Sequence, residues 1–192
     1  MYRKIRESIL KTGWSWGLYT PPDRVVLERV LIEFAQRPDC LRVLFVGVKA
    51  YNEPLRALFA GRTFATIDPT PAVARYGGRP HFVDVLENLE RHTQAESFDL
   101  VVMNGVIGFG LDDPNNVELA LAQVHRALRP GGDLVLGINE RIPTHVDLAN
   151  VAAMKLFRPK RFEPLANTRH VLATPFREET HTFEFWEKPA SL

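Results

Sequence analysis

The chain has a single cysteine, Cys40, among 192 residues, which rules out an intramolecular disulfide and any cysteine-based zinc cluster. Charge of one sign is also lacking: 24 Lys and Arg stand against 23 Asp and Glu, a formal net charge of +1. Nucleic acid is therefore not expected as the main partner, because phosphate binding usually leaves a clear basic excess. No run approaches roughly 18 uninterrupted apolar residues, and the opening MYRKIRESILKTGWSWG has no apolar signal core, so no membrane partner or secretory leader is expected. His81, His92, His125, His145, His170 and His181 are scattered without metal-ligand spacing, and no metal is expected. Also absent are the G-x-x-x-x-G-K-[ST] phosphate loop, the G-x-G-x-x-G dinucleotide fingerprint and the G-x-S-x-G nucleophile elbow.

With 45% hydrophobic and 24% charged residues, the composition is that of a globular chain. A chain of this length is one domain that buries roughly 70% of its unfolded surface, and it needs no staples. A reducing, cytoplasmic setting is the expectation. Residues 1–38 form an N-terminal segment with a first helix, and 39–192 the main domain.

That first helix is predicted near Val25 to Arg37, where Val26, Val30 and Phe34 recur every four residues. Thr20 or Asp23 is its expected cap, with proline in the first turn, and Pro38-Asp39 stops it. Leu41 to Gly47 is a short, almost unbroken apolar run, the pattern of a strand buried on both faces of a parallel sheet. Asn52 is the expected cap of a second helix that has Pro54 in its first turn and closes at Gly61.

Strands are then expected over Thr63 to Ile67, His81 to Val85, Phe98 to Met103 and Leu134 to Ile138, with helices between them. One of those helices covers Leu86 to about Gln94. Another opens at Asp113-Pro114, carries Val117, Leu121, Val124 and Leu128 on one face, and stops at Arg129-Pro130-Gly131-Gly132. Strands alternating with helices imply a parallel sheet covered on both sides. After a helical stretch around Asp147 to Phe157, the runs TRHVLAT and THTFEFWEK are joined by only Pro175 to Glu179. That link is too short for a helical crossover, so the pair should be antiparallel.

The stretch FDLVVMNGVIGF…VELALAQVHRALRPGGDLVLGIN resembles the class I S-adenosylmethionine-dependent methyltransferases. Val124-His125-Arg126-Ala127-Leu128-Arg129-Pro130-Gly131-Gly132 resembles the connection ahead of their fifth strand, and the terminal hairpin their last two strands. The resemblance implies a Rossmann-like three-layer α/β sandwich. Its mostly parallel seven-stranded sheet would have the order 3-2-1-4-5-7-6, with an antiparallel last strand. Ligands of open α/β sheets bind where the strand order reverses, here between strands one and four.

The cofactor implied is S-adenosylmethionine. The family's acid and glycine loop after strand one align with Phe45-Val46-Gly47-Val48-Lys49-Ala50-Tyr51, in which only the first glycine is kept. Gly47, Val48 and Lys49 would face the amino-acid end of the cofactor, although a lysine in such a loop is more often a solvated residue than a ligand group. Asp68, followed by Pro69, lies about 20 residues beyond Gly47, the spacing at which an acid meets ribose hydroxyls. Its plain alternative is a turn residue. Asp84 and Val85 would meet the adenine edge, or Asp84 would cap the next helix. Asn104 and Gly105 follow strand four, where a small residue lets the cofactor cross.

On the acceptor side, Trp14 and Trp16 would form a lid or merely anchor the segment. His145 would face the acceptor, as a weak candidate base, or lie on the surface. The expected function is methylation of a small molecule. A non-catalytic member of the same fold, serving as a binding or assembly module, is the alternative that the eroded glycine loop suggests. Nicotinamide-dependent reduction is a third reading, opposed by the missing fingerprint. A homodimer is left open.

Overall fold

The computed structural model describes residues 20–140, 142–144, 146–173 and 180–190. Among these residues eight strands form one sheet: β1 (Arg42–Val46), β2 (Thr63–Ile67), β3 (His81–Phe82), β4 (Phe98–Asn104), β5 (Leu128–Glu140), β6 (Arg158–Pro159), β7 (Arg169–Ala173) and β8 (Thr180–Glu187). Their order is β3-β2-β1-β4-β5-β8-β6, and β7 pairs with β8 beside β6. Pairing is parallel from β3 through β5 and antiparallel from β5 to β8 and outward. The expected topology is therefore present, with the two-residue β6 as an eighth strand on the edge of β8.

Successive strand residues point to opposite faces, and here both faces are covered. On one side Leu44, Val46, Ile67, Val101, Met103, Leu134 and Leu136 meet Val117, Leu121 and Val124 of the helix α2, Pro114–Ala127. On the other, Val43, Phe45, Phe64, Leu100, Val102, Phe183 and Phe185 meet Leu27, Val30, Leu31 and Phe34 of the first helix, α1, Pro22–Gln36. The apolar runs of β1 and β4 follow from this double burial. Phe45, where the family carries an acid, is one of these core residues and is 2% exposed.

Several local expectations are corrected. α1 starts at Pro22 with Pro21 at its cap and no side-chain capping bond, so neither Thr20 nor Asp23 caps it. The helices expected after Asn52, over Leu86 to Gln94 and around Asp147 to Phe157 are short 3₁₀ segments at Ala50–Phe59, Leu86–Arg91, Leu148–Asn150 and Ala152–Leu156. Short connectors cannot repay the cost of nucleating an α-helix, and Pro54 removes a donor within the first of them. His81–Phe82 is all that pairs of the expected third strand. The Arg-Pro-Gly-Gly stop lies within β5, which already pairs at Leu128 opposite Phe98 and resumes at Asp133 opposite Leu100. Gly131 has φ +71°, and the irregularity falls there.

Cys40 is 2% exposed, and burial pushes its thiol up to about 11. The thiolate is the reactive form. The native protein should therefore leave Ellman's reagent unreacted at pH 8, while the urea-unfolded chain titrates one thiol. Rapid labelling of the folded protein would contradict this packing.

Candidate functional site

The carboxyl ends of β1 to β4 open into a cleft of about 280 Å³. The sheet order arranges the residues along its rim: Asp84 and Val85 beyond β3, Asp68 and Pro69 beyond β2, Gly47 and Lys49 beyond β1, and Asn104 and Gly105 at and beyond β4. All eight line the cleft. Val48 does not; its backbone N–H turns away and donates to Asp68. Arg24 of α1, Tyr51, Phe109 and Leu111 complete the walls. Trp14, Trp16 and His145 lie outside the described residues.

Gly47 has φ +77°, a region that favours glycine, and a Cβ there would meet Val106 Cγ2 at 3.0 Å. Beyond it the loop needs no further glycine. Lys49 is extended (φ −134°, ψ 158°), and its N–H donates to Asn52 Oδ1 at 3.0 Å. Asn52 therefore caps from the third position of the 3₁₀ segment and not from its start.

The carboxylate of Asp68 is 7% exposed and ties this loop down. Its Oδ2 accepts from Val48 N and its Oδ1 from Thr70 N, both at 2.8 Å. Each oxygen keeps a second lone pair. Asp84 Oδ1 accepts from Val85 N and Asn88 Nδ2, and its Oδ2 meets His92 Nε2 at 2.8 Å. Hydrogen bonds from Asn88 and His92 lower its carboxyl to about 2. His92, not singled out by its place in the sequence, also stacks its ring on Phe82 at 5.0 Å. At the opposite end, Arg24 donates to the Tyr51 hydroxyl at 2.8 Å and lies 4.1 Å over its ring.

A larger cavity of about 540 Å³ lies between the 148–156 segments and the outer strands, lined by Glu140, Arg169, Glu184 and Trp186 among others. Its polar groups are turned on one another: Arg169 pairs with both Glu140 and Glu184, and Trp186 Nε1 donates to Glu184. The smaller cleft is the one at the carboxyl ends of the parallel strands. Among the described residues no cluster of three or more His, Cys, Asp or Glu could hold a metal, and no helix is long and apolar enough to cross a membrane.

The fold and the cleft at its topological switch define a Rossmann-like methyltransferase architecture. The family model described as "Methyltransferase domain" matches residues 46–136. No curated protein matches the chain. Among solved structures, the N-methyltransferase NodS from Bradyrhizobium japonicum superposes with a TM-score of 0.66 at 17% identity, covering 88% of this chain and 97% of its own. The 1,6-didemethyltoxoflavin-N1-methyltransferase of Burkholderia thailandensis gives 0.62 at 16%, over 98% and 89%. An arsenic (III) S-adenosylmethionine methyltransferase from Chlamydomonas reinhardtii gives 0.54 at 16%, over 89% and 74%. At these identities the likeness is one of fold. The domain match covers just under half of the chain, and the fold is that of the S-adenosylmethionine-dependent methyltransferases.

Proposed function

We propose that the protein uses S-adenosylmethionine to methylate a small molecule. The observation that carries this reading is the order of chemistry along the rim: carboxylates beyond β3 and β2, then a glycine turn with Lys49 beyond β1, and Arg24 of α1 on the wall. An adenine–ribose–amino acid molecule lying across the strand ends would meet these groups in turn. The residues fit it. Asp84 and Val85 would take the adenine edge and Asp68 the ribose hydroxyls, with Lys49 and Arg24 near the carboxylate. Gly105 (φ +64°) leaves open space where a Cβ would stand. When bound, the sulfonium supplies an activated methyl group. The chain's contribution is to align it with the acceptor and exclude water. A small acceptor is favoured by the neighbours of known substrate and by strand-end loops too short to form a separate acceptor domain. The single buried thiol suits a reducing, cytoplasmic setting.

A thermal-shift panel of S-adenosylhomocysteine, NAD and NADP tests the reading. S-adenosylhomocysteine at about a hundred times its dissociation constant should contribute about 2.7 kcal/mol. For a chain of this size that raises the melting temperature by roughly 5–10 °C. The dinucleotides should leave it unmoved. No shift with S-adenosylhomocysteine would favour a binding or assembly module, and a shift with NAD or NADP a reductase.

A further inference from the structure

Three strands meet at one point beside the cleft. Asn104 ends β4, Gly137 lies opposite it on β5, and His181, near the start of β8, pairs with Asn139 of β5. A Cβ on Gly137 would stand 2.0 Å from Asn104 Oδ1 and 2.9 Å from His181 Nε2. The bare Cα is thus what lets the two side chains meet above β5. His181 Nε2 lies 3.1 Å from Asn104 Oδ1, and Nδ1 faces Asn139 Oδ1. The ring is 3% exposed and packs edge-on against Phe183 at 4.8 Å.

Burial pushes the imidazole down to about 4; nearby Asp23 opposes the shift and Arg24 adds to it. The ring is therefore neutral near pH 7 and carries one N–H, so one nitrogen donates while the other accepts. One flanking carboxamide must then present its nitrogen to the ring. Asn104 is the one that keeps its oxygen inward, because above Gly137 an oxygen gains a Cα–H contact where an NH₂ would press hydrogen on hydrogen. On this assignment Nε2–H donates to Asn104 Oδ1, and the Asn139 carboxamide, whose oxygen is placed toward Nδ1, is reversed so that its nitrogen donates there. The Asn104 nitrogen has no partner among the described residues, and Asn104 lines the cleft.

We infer that His181 is a positioning residue: it holds the Asn104 oxygen over Gly137 and so aims the Asn104 amide nitrogen into the cleft, toward the carboxylate of the bound cofactor. This rests on the cofactor reading above, and the site lies over the β1–β4 end of the rim, where the amino-acid moiety falls.

Calorimetric titration tests it with two probes, S-adenosylhomocysteine and 5′-methylthioadenosine, which lacks the amino-acid moiety. Asn104→Ala and His181→Phe should each weaken S-adenosylhomocysteine about tenfold, and the double variant no further, because both remove one contact. Binding of 5′-methylthioadenosine should be unchanged. His181→Gln, whose amide can donate where Nε2–H does, should retain most of the affinity, and it stands in if the phenylalanine variant does not fold. Additive losses, equal losses with both probes, no loss in Asn104→Ala or His181→Phe, or a tenfold loss in His181→Gln would overturn the inference.

If the wild type binds neither probe, it is the cofactor reading that fails. The free protein then decides the role of His181 by ¹⁵N NMR. An Nε2–H tautomer, with an Asn104 side-chain amide signal that moves in His181→Gln, supports the role. An Nδ1–H tautomer or an unmoved signal defeats it.

Discussion

Replacing Asp68 with alanine should weaken S-adenosylhomocysteine binding by about 2–3 kcal/mol, roughly 30- to 150-fold, since charged hydrogen bonds are lost. The carboxylate has two duties. Toward the protein it accepts the N–H groups of Val48 and Thr70, fixing the turn in which Gly47 alone replaces the family's run of glycines. Toward the cleft it offers the remaining lone pair of each oxygen to the ribose. The loss should be the same for 5′-methylthioadenosine, which keeps the ribose, and this separates Asp68 from Asn104. Asp68→Asn should recover only part of it, because one end of the amide is a donor and cannot accept from a backbone N–H. Calorimetry measures all three values. An alanine variant with unchanged affinity would remove Asp68 from the site and leave it as a loop tie alone.

The strands were legible because burial on two faces writes a continuous apolar run, as in Leu41 to Val46 and Phe98 to Met103. The long α2 was legible from its period and from Asp113-Pro114; Asp113 does cap it, accepting from Asn115 N and Asn116 N. The shorter connectors were not. A few apolar residues between turn signals do not distinguish an α-helix from a 3₁₀ segment, so Ala50–Phe59 and Leu86–Arg91 were misjudged in type and Asn52 in position.

At the site, the rim residues could be named from strand ends, because in a parallel sheet the chain itself delivers them to one edge. Their side-chain partners could not. Asp84 is held by Asn88 and His92, through a turn whose 3₁₀ geometry was not foreseen. His181 was one of six scattered histidines. Its meaning depends on a residue 77 positions away and on a glycine in the strand between them, which only the sheet order brings together.

Removing the carboxylate of Asp99 should destabilise the fold by about 3–5 kcal/mol, because it leaves buried donors without their acceptor. Asp99 stands at the opposite edge of the sheet from the cleft and is 5% exposed. Oδ2 accepts from the backbone of Leu41 at 2.9 Å and of Arg42 at 2.8 Å, and Oδ1 from the side chains of Arg42 and Arg129, both at 2.8 Å. One carboxylate thus ties the entrance of β1 to β4 and to the start of β5. Arg42 is partly exposed and can turn to water, whereas its backbone N–H is held in place by β1. Burial raises the carboxyl, while the hydrogen bonds from Arg42, Leu41 and Arg129 outweigh it and hold it below the usual carboxylate range. A carboxyl lowered in the folded state adds stability that is complete above its unfolded value, near pH 4, and is lost as pH falls through the folded one. Urea unfolding of Asp99→Ala and the wild type at pH 7 should show the full gap, and the gap should narrow toward pH 3. A loss under about 1 kcal/mol at pH 7, or a gap that widens in acid, would mean that other contacts hold this edge together.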